Sequence, residues 1–194
     1  MEIVHYPHPA LRWKSKPITR INARVRAVVG EMFELMYAAN GIGLAANQVA
    51  LPWRVFIINP SGDPAEKDQE FVFINPQITS QRGREEGEEG CLSLPQLYGQ
   101  VERPNEVVIE AYDLNAEPFR LELSDLPGRV VQHEADHLDG VLFFDRMSEA
   151  GRDELSAKIQ DFEYLFQKAQ KAGTIAADAD LKRQLQELEQ ELES

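Results

Sequence analysis

The stretch Gln132-His133-Glu134-Ala135-Asp136-His137 is the part of the sequence around which the fold and the chemistry are organised. His133 and His137 are four residues apart, so on an α-helix their imidazoles lie on one face, one turn from each other. This spacing lets two ring nitrogens reach a single metal ion, and Glu134 between them can serve as a general base. Two ordinary histidines on a helix face would give the same short pattern. The spacing therefore predicts a metal-binding helix that the rest of the sequence has to support.

The residues that flank this stretch predict that the helix is buried. Ser124 or Asp125 can cap its first turn, and Gly140 can end it. Its apolar positions are Val130, Val131, Ala135 and Leu138. Two buried histidines need polar partners, and a metal ion would supply one.

Cys91 is the only cysteine in the chain and the candidate for a third metal ligand. A catalytic metal site commonly uses three protein ligands and leaves one position open for water. Gly90 lets the backbone next to Cys91 approach a neighbour closely, and a divalent cation stabilises a thiolate. A lone cysteine is more often a small buried hydrophobe, so both interpretations stay open on these residues alone.

A third segment, Gly41-Ile42-Gly43-Leu44-Ala45-Ala46-Asn47-Gln48, is rich in small residues. It lacks the Gly-Lys-Ser/Thr ending of a phosphate-binding loop and the spacing of a dinucleotide-binding loop. Its small residues would let a substrate or another backbone lie close, and Gln48 would bring an amide donor to that wall. The alternative is a tight connection between a helix and a strand.

The remaining pattern predicts helices and short strands in one domain. One amphipathic helix begins after Asn22 and ends at Asn40-Gly41, and another runs from about Ser148 to about Ala172. The predicted strands are Val55–Ile58, Phe71–Ile74, Val107–Tyr112 and Phe119–Leu123. Residues 60–69 and 81–90 have the composition of polar loops.

The C-terminal residues have a character of their own. Leu181, Leu185, Leu188 and Leu192 follow a 4-3-4 spacing over about two heptads, too few for a coiled coil, which favours an exposed or frayed helix. Residues 178–194 carry six acidic and two basic groups, a net charge of −4. We therefore expect a single catalytic domain over residues 1–172 and an acidic helical tail over residues 173–194.

Composition and charge exclude several classes of protein. The formal net charge of −13 argues against general nucleic-acid binding, which needs a basic face. The Pro-punctuated N-terminus has no apolar run of a secretory signal, and nothing approaches the ~18 apolar residues of a membrane span. One cysteine cannot form an internal disulfide, so a reducing cytoplasm is expected.

Taken together, the three segments resemble the peptide deformylase family. That family is marked by G-x-G-L-A-A-x-Q, E-G-C-L-S and Q-H-E-x-D-H, in this order, and the chain matches every fixed position of all three. The likeness covers roughly residues 1–165. It implies an α+β fold in which a central helix with both histidines packs against antiparallel and mixed β-sheets, with N-terminal and C-terminal helices.

The resemblance also implies roles for individual residues. The implied metal ligands are Cys91, His133 and His137, and the ion is usually iron(II) in bacterial members, although zinc or nickel can occupy the site. The implied catalytic groups are Glu134 as general base and acid, with the Gln48 amide and the Leu92 backbone N–H as oxyanion donors.

The backbone of Ile42 and Gly43 would line the substrate. We expect Ile42, Leu126 and Val130 to wall the methionine pocket, with plain core packing as the alternative. Arg103 can pair with Glu89 to fix the cysteine loop, or can form a surface pair.

The implied activity is removal of the formyl group from N-formylmethionyl nascent peptides, with release of formate. No direct binding to nucleic acid or membrane is expected. Some members approach the ribosome through a C-terminal helix, but an acidic tail would be repelled by ribosomal RNA.

Two rival functions remain. A zinc endopeptidase would take its third ligand downstream, for example from Asp145 or Glu149, and a non-enzymatic module would close its metal site with four ligands.

Overall fold

The computed structural model describes residues 1–191. Its helices are α1 (Ala23–Ala38), α2 (Asp125–Leu138), α3 (Glu149–Lys171) and α4 (Asp178–Gln190). Its strands are β1 (Gly43–Ala45), β2 (Val55–Ile58), β3 (Phe71–Arg82), β4 (Glu85–Cys91), β5 (Leu94–Arg103), β6 (Glu106–Tyr112) and β7 (Pro118–Ser124). The strands form an antiparallel five-stranded sheet in the order β1-β2-β3-β6-β7 and a separate β4-β5 hairpin. This α+β architecture confirms the expected fold class.

The five-stranded sheet is covered by helices on both faces at its β1–β2 end. Val55 and Ile57 of β2 belong to the apolar core that α1 contributes to, whereas Phe56 and Ile58 belong to the core that contains α2. Successive side chains of a strand point to opposite faces, so a strand buried on both sides reads as a continuous apolar run. This explains why Val55–Ile58 was predictable from sequence.

The helix α2 is buried as predicted, and its bounds follow from local chemistry. Ser124 occupies the N-cap position, but its hydroxyl group donates to Asp125 Oδ2 and makes no capping hydrogen bond to the first turn. Gly140, with a φ of +72°, lies just beyond the C-terminus. Val131 and Leu138 are fully buried against the sheet. Gly128 lets the first turn lie against β7, since a β-carbon there would be 3.1 Å from the Leu123 carbonyl oxygen. These contacts hold the helix that carries both histidines.

The other two predicted helices begin where the sequence indicated, and a side chain caps each of them. The Asn22 side chain accepts a hydrogen bond from the Val25 N–H at the start of α1, and the Ser148 side chain accepts one from the Gly151 N–H at the start of α3. Such caps satisfy backbone donors that a helix terminus leaves without a partner. Among the helices of the described chain, none combines the length and the apolar character that a membrane crossing requires.

The prediction of a loop over residues 81–90 is wrong, and the strand predicted over Phe71–Ile74 is present but longer than predicted. The strand β3 continues to Arg82, and residues 85–91 form β4, which pairs with β5 in register from Glu85↔Arg103 to Gly90↔Tyr98. The glutamate- and glycine-rich composition has low strand propensity. Pairing with β5 and burial of Glu89 against Arg103 override that propensity.

The helix α4 is docked on the body of the protein, so the expectation of an exposed or frayed helix is wrong for its described part. Leu185 is 2% exposed, and α4 lies against the 3-10 helix Pro9–Arg12. The Trp13 indole N–H donates to Glu189, with the two atoms 2.7 Å apart. Leu192, the last leucine of the predicted stripe, lies outside the described residues.

Candidate metal centre and cleft

Three side chains from distant parts of the sequence meet at one point. Ligand atoms of Cys91, His133 and His137 all lie within 4.8 Å of one another, and Cys91 Sγ lies 3.3 Å from His137 Nε2. The two histidines come from successive turns of α2, and the cysteine comes from the end of β4. Among residues 1–191, these three form the only such group of histidine, cysteine and acidic side chains. The structure therefore brings together the three ligands proposed from sequence.

Glu89 fixes one of the two imidazoles. Its Oε2 lies 3.0 Å from His133 Nδ1, which leaves the Nε2 of that ring available for a metal. Arg103 binds the same carboxylate through two nitrogens, at 2.6 and 2.9 Å, and Arg129 binds it at 2.9 Å. Burial alone would raise the pKa of Glu89, but the hydrogen bonds with His133 and Arg103 outweigh it and hold the pKa well below its usual range. Glu89 is therefore an anion that orients His133.

The expected pairing of Arg103 with Glu89 is confirmed, and the pair is buried. Arg103 is 4% exposed and Glu89 is 6% exposed, so this is no surface pair. Arg103 also binds Asp136, which in turn binds Arg146. A buried carboxylate has to be compensated, and these guanidinium groups supply that compensation.

Glu134 lies on the cleft side of α2 in a tight environment. It is 4% exposed, and its Oε2 has no hydrogen-bond partner among the described residues. Burial raises the pKa of Glu134 to about 7. A β-carbon on Gly43 would lie only 2.4 Å from Glu134 Oε1, so any larger residue at this position of β1 would displace this carboxylate. A carboxylate with a pKa near neutrality suits proton transfer at neutral pH.

The Gln48 side chain has a defined orientation. Its Oε1 accepts a hydrogen bond from the Ala45 N–H at 2.8 Å, so its Nε2 donor faces the other way. That nitrogen lies 3.4 Å from Cys91 Sγ and 3.4 Å from Ser93 Oγ. An amide donor is thus held beside the sulfur atom of the metal site. Leu92, in the turn between β4 and β5, directly follows Cys91.

A cleft of about 680 Å³ opens above these groups. Two sheet edges flank it, because β1 and β4 each pair with a neighbouring strand on one side only. Of the residues proposed from sequence, those that line the cleft include Ile42, Gly43, Gln48, Leu92, Leu126 and Val130. Leu126 is 49% exposed at the rim, whereas Val130 is 6% exposed and also packs in the core. All proposed substrate-contacting residues therefore border one cavity.

Some functional neighbours were not foreseen from sequence. Ile3 and His5 of the N-terminal segment line the cleft, and Arg129 binds the backbone oxygens of Glu85 and Val101 as well as Glu89. Arg129 lies four residues before His133 on α2, and this spacing was the one available signal for it. The position of the N-terminal segment depends on long-range contacts that leave no local pattern.

The site fits a divalent cation on the chemistry of its donors. A thiolate with two imidazoles is a donor set for borderline or soft divalent ions such as zinc, iron and nickel. Burial holds the pKa of His137 well below its usual range, which favours the neutral ring that a ligand needs. Burial also acts to lower the pKa of His133, but its hydrogen bonds with Cys91 and Glu89 raise that pKa well above its usual range, so metal binding at this ring has to displace a proton. The downstream acid Asp145 instead binds Arg12 and the Leu142 N–H, away from the metal site. This distribution disfavours the endopeptidase arrangement.

Comparison with known proteins agrees with this geometry. The model of a family described as polypeptide deformylase matches residues 1–153. A peptide deformylase from Rhodopirellula baltica is 43% identical over 189 residues, which cover 97% of this chain and 94% of that protein. Peptide deformylase 1B, chloroplastic/mitochondrial, from Arabidopsis thaliana is 43% identical over 164 residues, covering 84% of this chain and 60% of that longer protein.

Solved structures give the same result for the fold. The crystal structure of Arabidopsis thaliana peptide deformylase 1B with an inhibitor superposes with a TM-score of 0.83 at 42% identity, covering 90% of this chain and 95% of that one. The crystal structure of peptide deformylase from Thermus thermophilus gives a TM-score of 0.76 at 36% identity, covering 84% of this chain and 96% of that one.

Proposed function

The chain belongs to the polypeptide deformylase family, and on that premise we propose that its cleft removes the formyl group from the N-terminal formylmethionine of nascent polypeptides and releases formate. The observation that carries the proposal is the meeting of Cys91, His133 and His137 beside the buried Glu134 in one open cleft. Three protein ligands leave room for a reacting group, whereas a structural site is usually closed by four. The non-enzymatic alternative is therefore disfavoured.

Cys91, His133 and His137 would hold the metal ion, and we propose iron(II) as the native ion, with zinc or nickel as substitutes in purified protein. The donor set suits all three ions. When bound, the ion would act as a Lewis acid on the formyl group and would favour ionisation of a water molecule at neutral pH. The sulfur ligand is the only thiol of the chain, so its oxidation would remove one of the three ligands.

Glu134 is assigned the proton transfers. Its carboxylate takes a proton from the attacking water, and the oxygen of that water forms a bond to the formyl carbon. Glu134 then passes the proton to the leaving nitrogen, the C–N bond breaks, and formate and a free amino terminus are released. Two observations support this role: Glu134 Oε2 has no hydrogen-bond partner among residues 1–191, and burial raises the pKa of Glu134 to about 7. The group can therefore both accept and return a proton near neutral pH.

The Gln48 amide and the Leu92 backbone N–H are assigned to the oxyanion that develops on the formyl oxygen. Preorganised donors aimed at developing charge are commonly the largest single contribution to catalysis. The Gln48 Nε2 is supported in this role because the oxygen of the same amide group, Oε1, accepts a hydrogen bond from the Ala45 N–H. The amide therefore needs no reorientation during the reaction.

Ile42 and Gly43 are assigned to the wall along which the peptide lies, and Ile42, Leu126 and Val130 to the methionine pocket. The position of Gly43 on the free edge of β1 supports backbone pairing with an extended peptide. Half-exposed Leu126 at the rim suits contact with an apolar side chain. We further propose cytoplasmic action on peptides emerging from the ribosome, a catalytic domain over residues 1–172 and an appended tail over residues 173–194.

Product analysis tests this function directly. Protein loaded with one metal ion is incubated with formyl-Met-Ala-Ser and, separately, with a peptide of ordinary sequence whose N-terminus is blocked without a formyl group. The products are identified by mass spectrometry. We expect loss of the formyl group from the first peptide, an equimolar amount of formate, and no cut in the second. Internal cleavage without formate would support the endopeptidase alternative, and no reaction at full metal loading would support the binding module.

A further inference from the structure

Asn47 occupies the variable position of the segment that ends in Gln48, and yet it is fully buried. All of its side-chain hydrogen-bonding groups are engaged. Its Nδ2 donates to the carbonyl oxygens of Ala10, at 3.1 Å, and Trp13, at 2.7 Å. Its Oδ1 accepts a hydrogen bond from Ser15 Oγ at 2.7 Å. The side chain thus ties the Gln48 turn to the N-terminal segment.

Ser15 continues this connection to the metal-binding helix. It is 4% exposed, and its backbone N–H donates to the carbonyl oxygen of Leu138 at 2.8 Å. Leu138 is the last residue of α2 and directly follows His137. Ser15 therefore binds the Gln48 turn through its hydroxyl group and the end of the metal-binding helix through its backbone.

The turn that carries Gln48 depends on such contacts. Residues 46–49 form a single 3-10 turn whose N-cap residue, Ala45, has no side chain that can cap it, although its N–H donates to the Gln48 side chain. Ala50 beyond the turn has a φ of +58°. The Gln48 carbonyl oxygen accepts a hydrogen bond from the Val4 N–H at 2.8 Å. Among the described residues, the hydrogen bonds between this turn and the N-terminal segment are thus this backbone bond and the three bonds of the Asn47 side chain.

We propose that Asn47 and Ser15 are positioning residues that set the Gln48 amide relative to the metal site. The inference rests on the proposed role of Gln48 as an oxyanion donor. The contact of Gln48 Nε2 with Ser93 Oγ is long at 3.4 Å, and the nitrogen also lies 3.4 Å from Cys91 Sγ, so a shift of the turn changes the position of the donor relative to the sulfur atom. Misplacement by about 1 Å can cost about a hundredfold in rate.

The variant Ser15→Ala removes the hydroxyl donor and keeps the backbone bond to Leu138. We expect kcat to fall at least about tenfold with KM nearly unchanged, because the donor acts mainly on the transition state. Ser15→Thr keeps a hydroxyl group and should restore most of kcat. The matched control is Ser61→Ala, which removes another 2.7 Å Ser-to-Asn hydrogen bond, from the exposed Ser61 to the buried Asn59. We expect the control to leave kcat unchanged.

A double-mutant cycle separates positioning from general stabilisation. If Ser15 acts through Gln48, then Ser15→Ala lowers kcat no further in a Gln48→Ala background. Losses that multiply in the double variant would overturn the inference while leaving the role of Gln48 intact. A Gln48→Ala variant with full kcat would instead overturn the oxyanion role, and the inference with it.

A measurement that does not depend on turnover completes the test. In zinc-loaded protein labelled with nitrogen-15, the side-chain amide signals of Gln48 are identified as those absent from Gln48→Ala. We expect Ser15→Ala to shift or broaden these signals, and Ser61→Ala to leave them in place. Unchanged Gln48 signals in Ser15→Ala would contradict the inference, even if the variant were less stable.

Discussion

A β-carbon on Gly43 would lie 2.4 Å from Oε1 of Glu134, so the backbone of β1 and the carboxylate of α2 are in direct contact. We predict that Gly43→Ala displaces this carboxylate and lowers kcat by at least about tenfold, because small displacements of a catalytic group are costly. Metal content should stay at the wild-type value, since none of the three proposed ligands moves with the carboxylate. Steady-state kinetics with a metal assay on the same sample check this.

The matched control for Gly43 is Gly30 in α1. A β-carbon there meets nothing within 4 Å, and alanine is the better helix former. We expect Gly30→Ala to keep full activity. Equal activity in both alanine variants would show that Glu134 tolerates displacement and would count against its assignment as the base.

Glu89→Gln should weaken metal binding. The substitution removes the anion that accepts the His133 Nδ1 hydrogen and compensates Arg103. Loss of a carboxylate that orients a ligand histidine typically lowers metal affinity about 10- to 100-fold. Competition with a chromogenic chelator measures the affinity. The control is Glu88→Gln, at the neighbouring exposed residue, which should bind metal like the wild type. Equal metal affinity of the two variants would contradict the role of Glu89.

The sequence was sufficient to predict α2 and the shared face of its two histidines. Four-residue spacing of His133 and His137 is a local signal, because it depends only on helix geometry. The strand β2 was equally clear, since its continuous apolar run is typical of burial on both faces. Cys91 could be assigned as a ligand through the family resemblance, but no local pattern places it beside α2.

The elements that were missed depend on distant partners. The strand β4 has the composition of a loop, and only its register with β5 and the burial of Glu89 make it a strand. The leucine spacing of α4 was visible, but its docking surface, the 3-10 helix Pro9–Arg12, lies at the other end of the chain. Long-range pairing of this kind leaves no periodic signal in a single sequence.

Docking of α4 predicts a measurable contribution to stability. Leu185 is 2% exposed, so Leu185→Ala should cost about 2 to 5 kcal/mol of the free energy of unfolding. Leu165 in α3 is 59% exposed and is the matched control, with an expected change within about 0.5 kcal/mol. Chemical denaturation of the metal-loaded variants gives both values. Similar costs for the two leucines would mean that α4 does not stay docked in solution.

His8 predicts a pH dependence of stability that is separate from the metal site. Its Nδ1 accepts the Ala10 N–H, and burial lowers its pKa from the ordinary value of 6.5, with Asp178 and Glu2 acting in the opposite direction. As the pH falls below 6.5, His8 binds a proton more readily in the unfolded chain than in the folded chain, so the free energy of unfolding decreases. Above that pH the imidazole is neutral in both states and contributes no dependence.

The variant His8→Asn keeps an acceptor for the Ala10 N–H and cannot titrate. We expect the wild type to lose more unfolding free energy than His8→Asn between about pH 7 and about pH 5.5, by at most about 1.4 kcal/mol per pH unit for one proton. Comparison of the two proteins cancels the pH dependence of metal binding. Parallel stability curves would rule out a contribution from His8.

Formate release by metal-loaded wild type and Glu134→Gln, measured side by side on a formyl-Met-Ala-type peptide, tests the central claim most directly. The glutamine side chain keeps the shape of Glu134 and cannot accept the proton from water. We expect metal-dependent release of formate by the wild type, and a rate at least about a hundredfold lower in Glu134→Gln at equal metal content. Full activity in Glu134→Gln, or no release by fully loaded wild type, would contradict that claim.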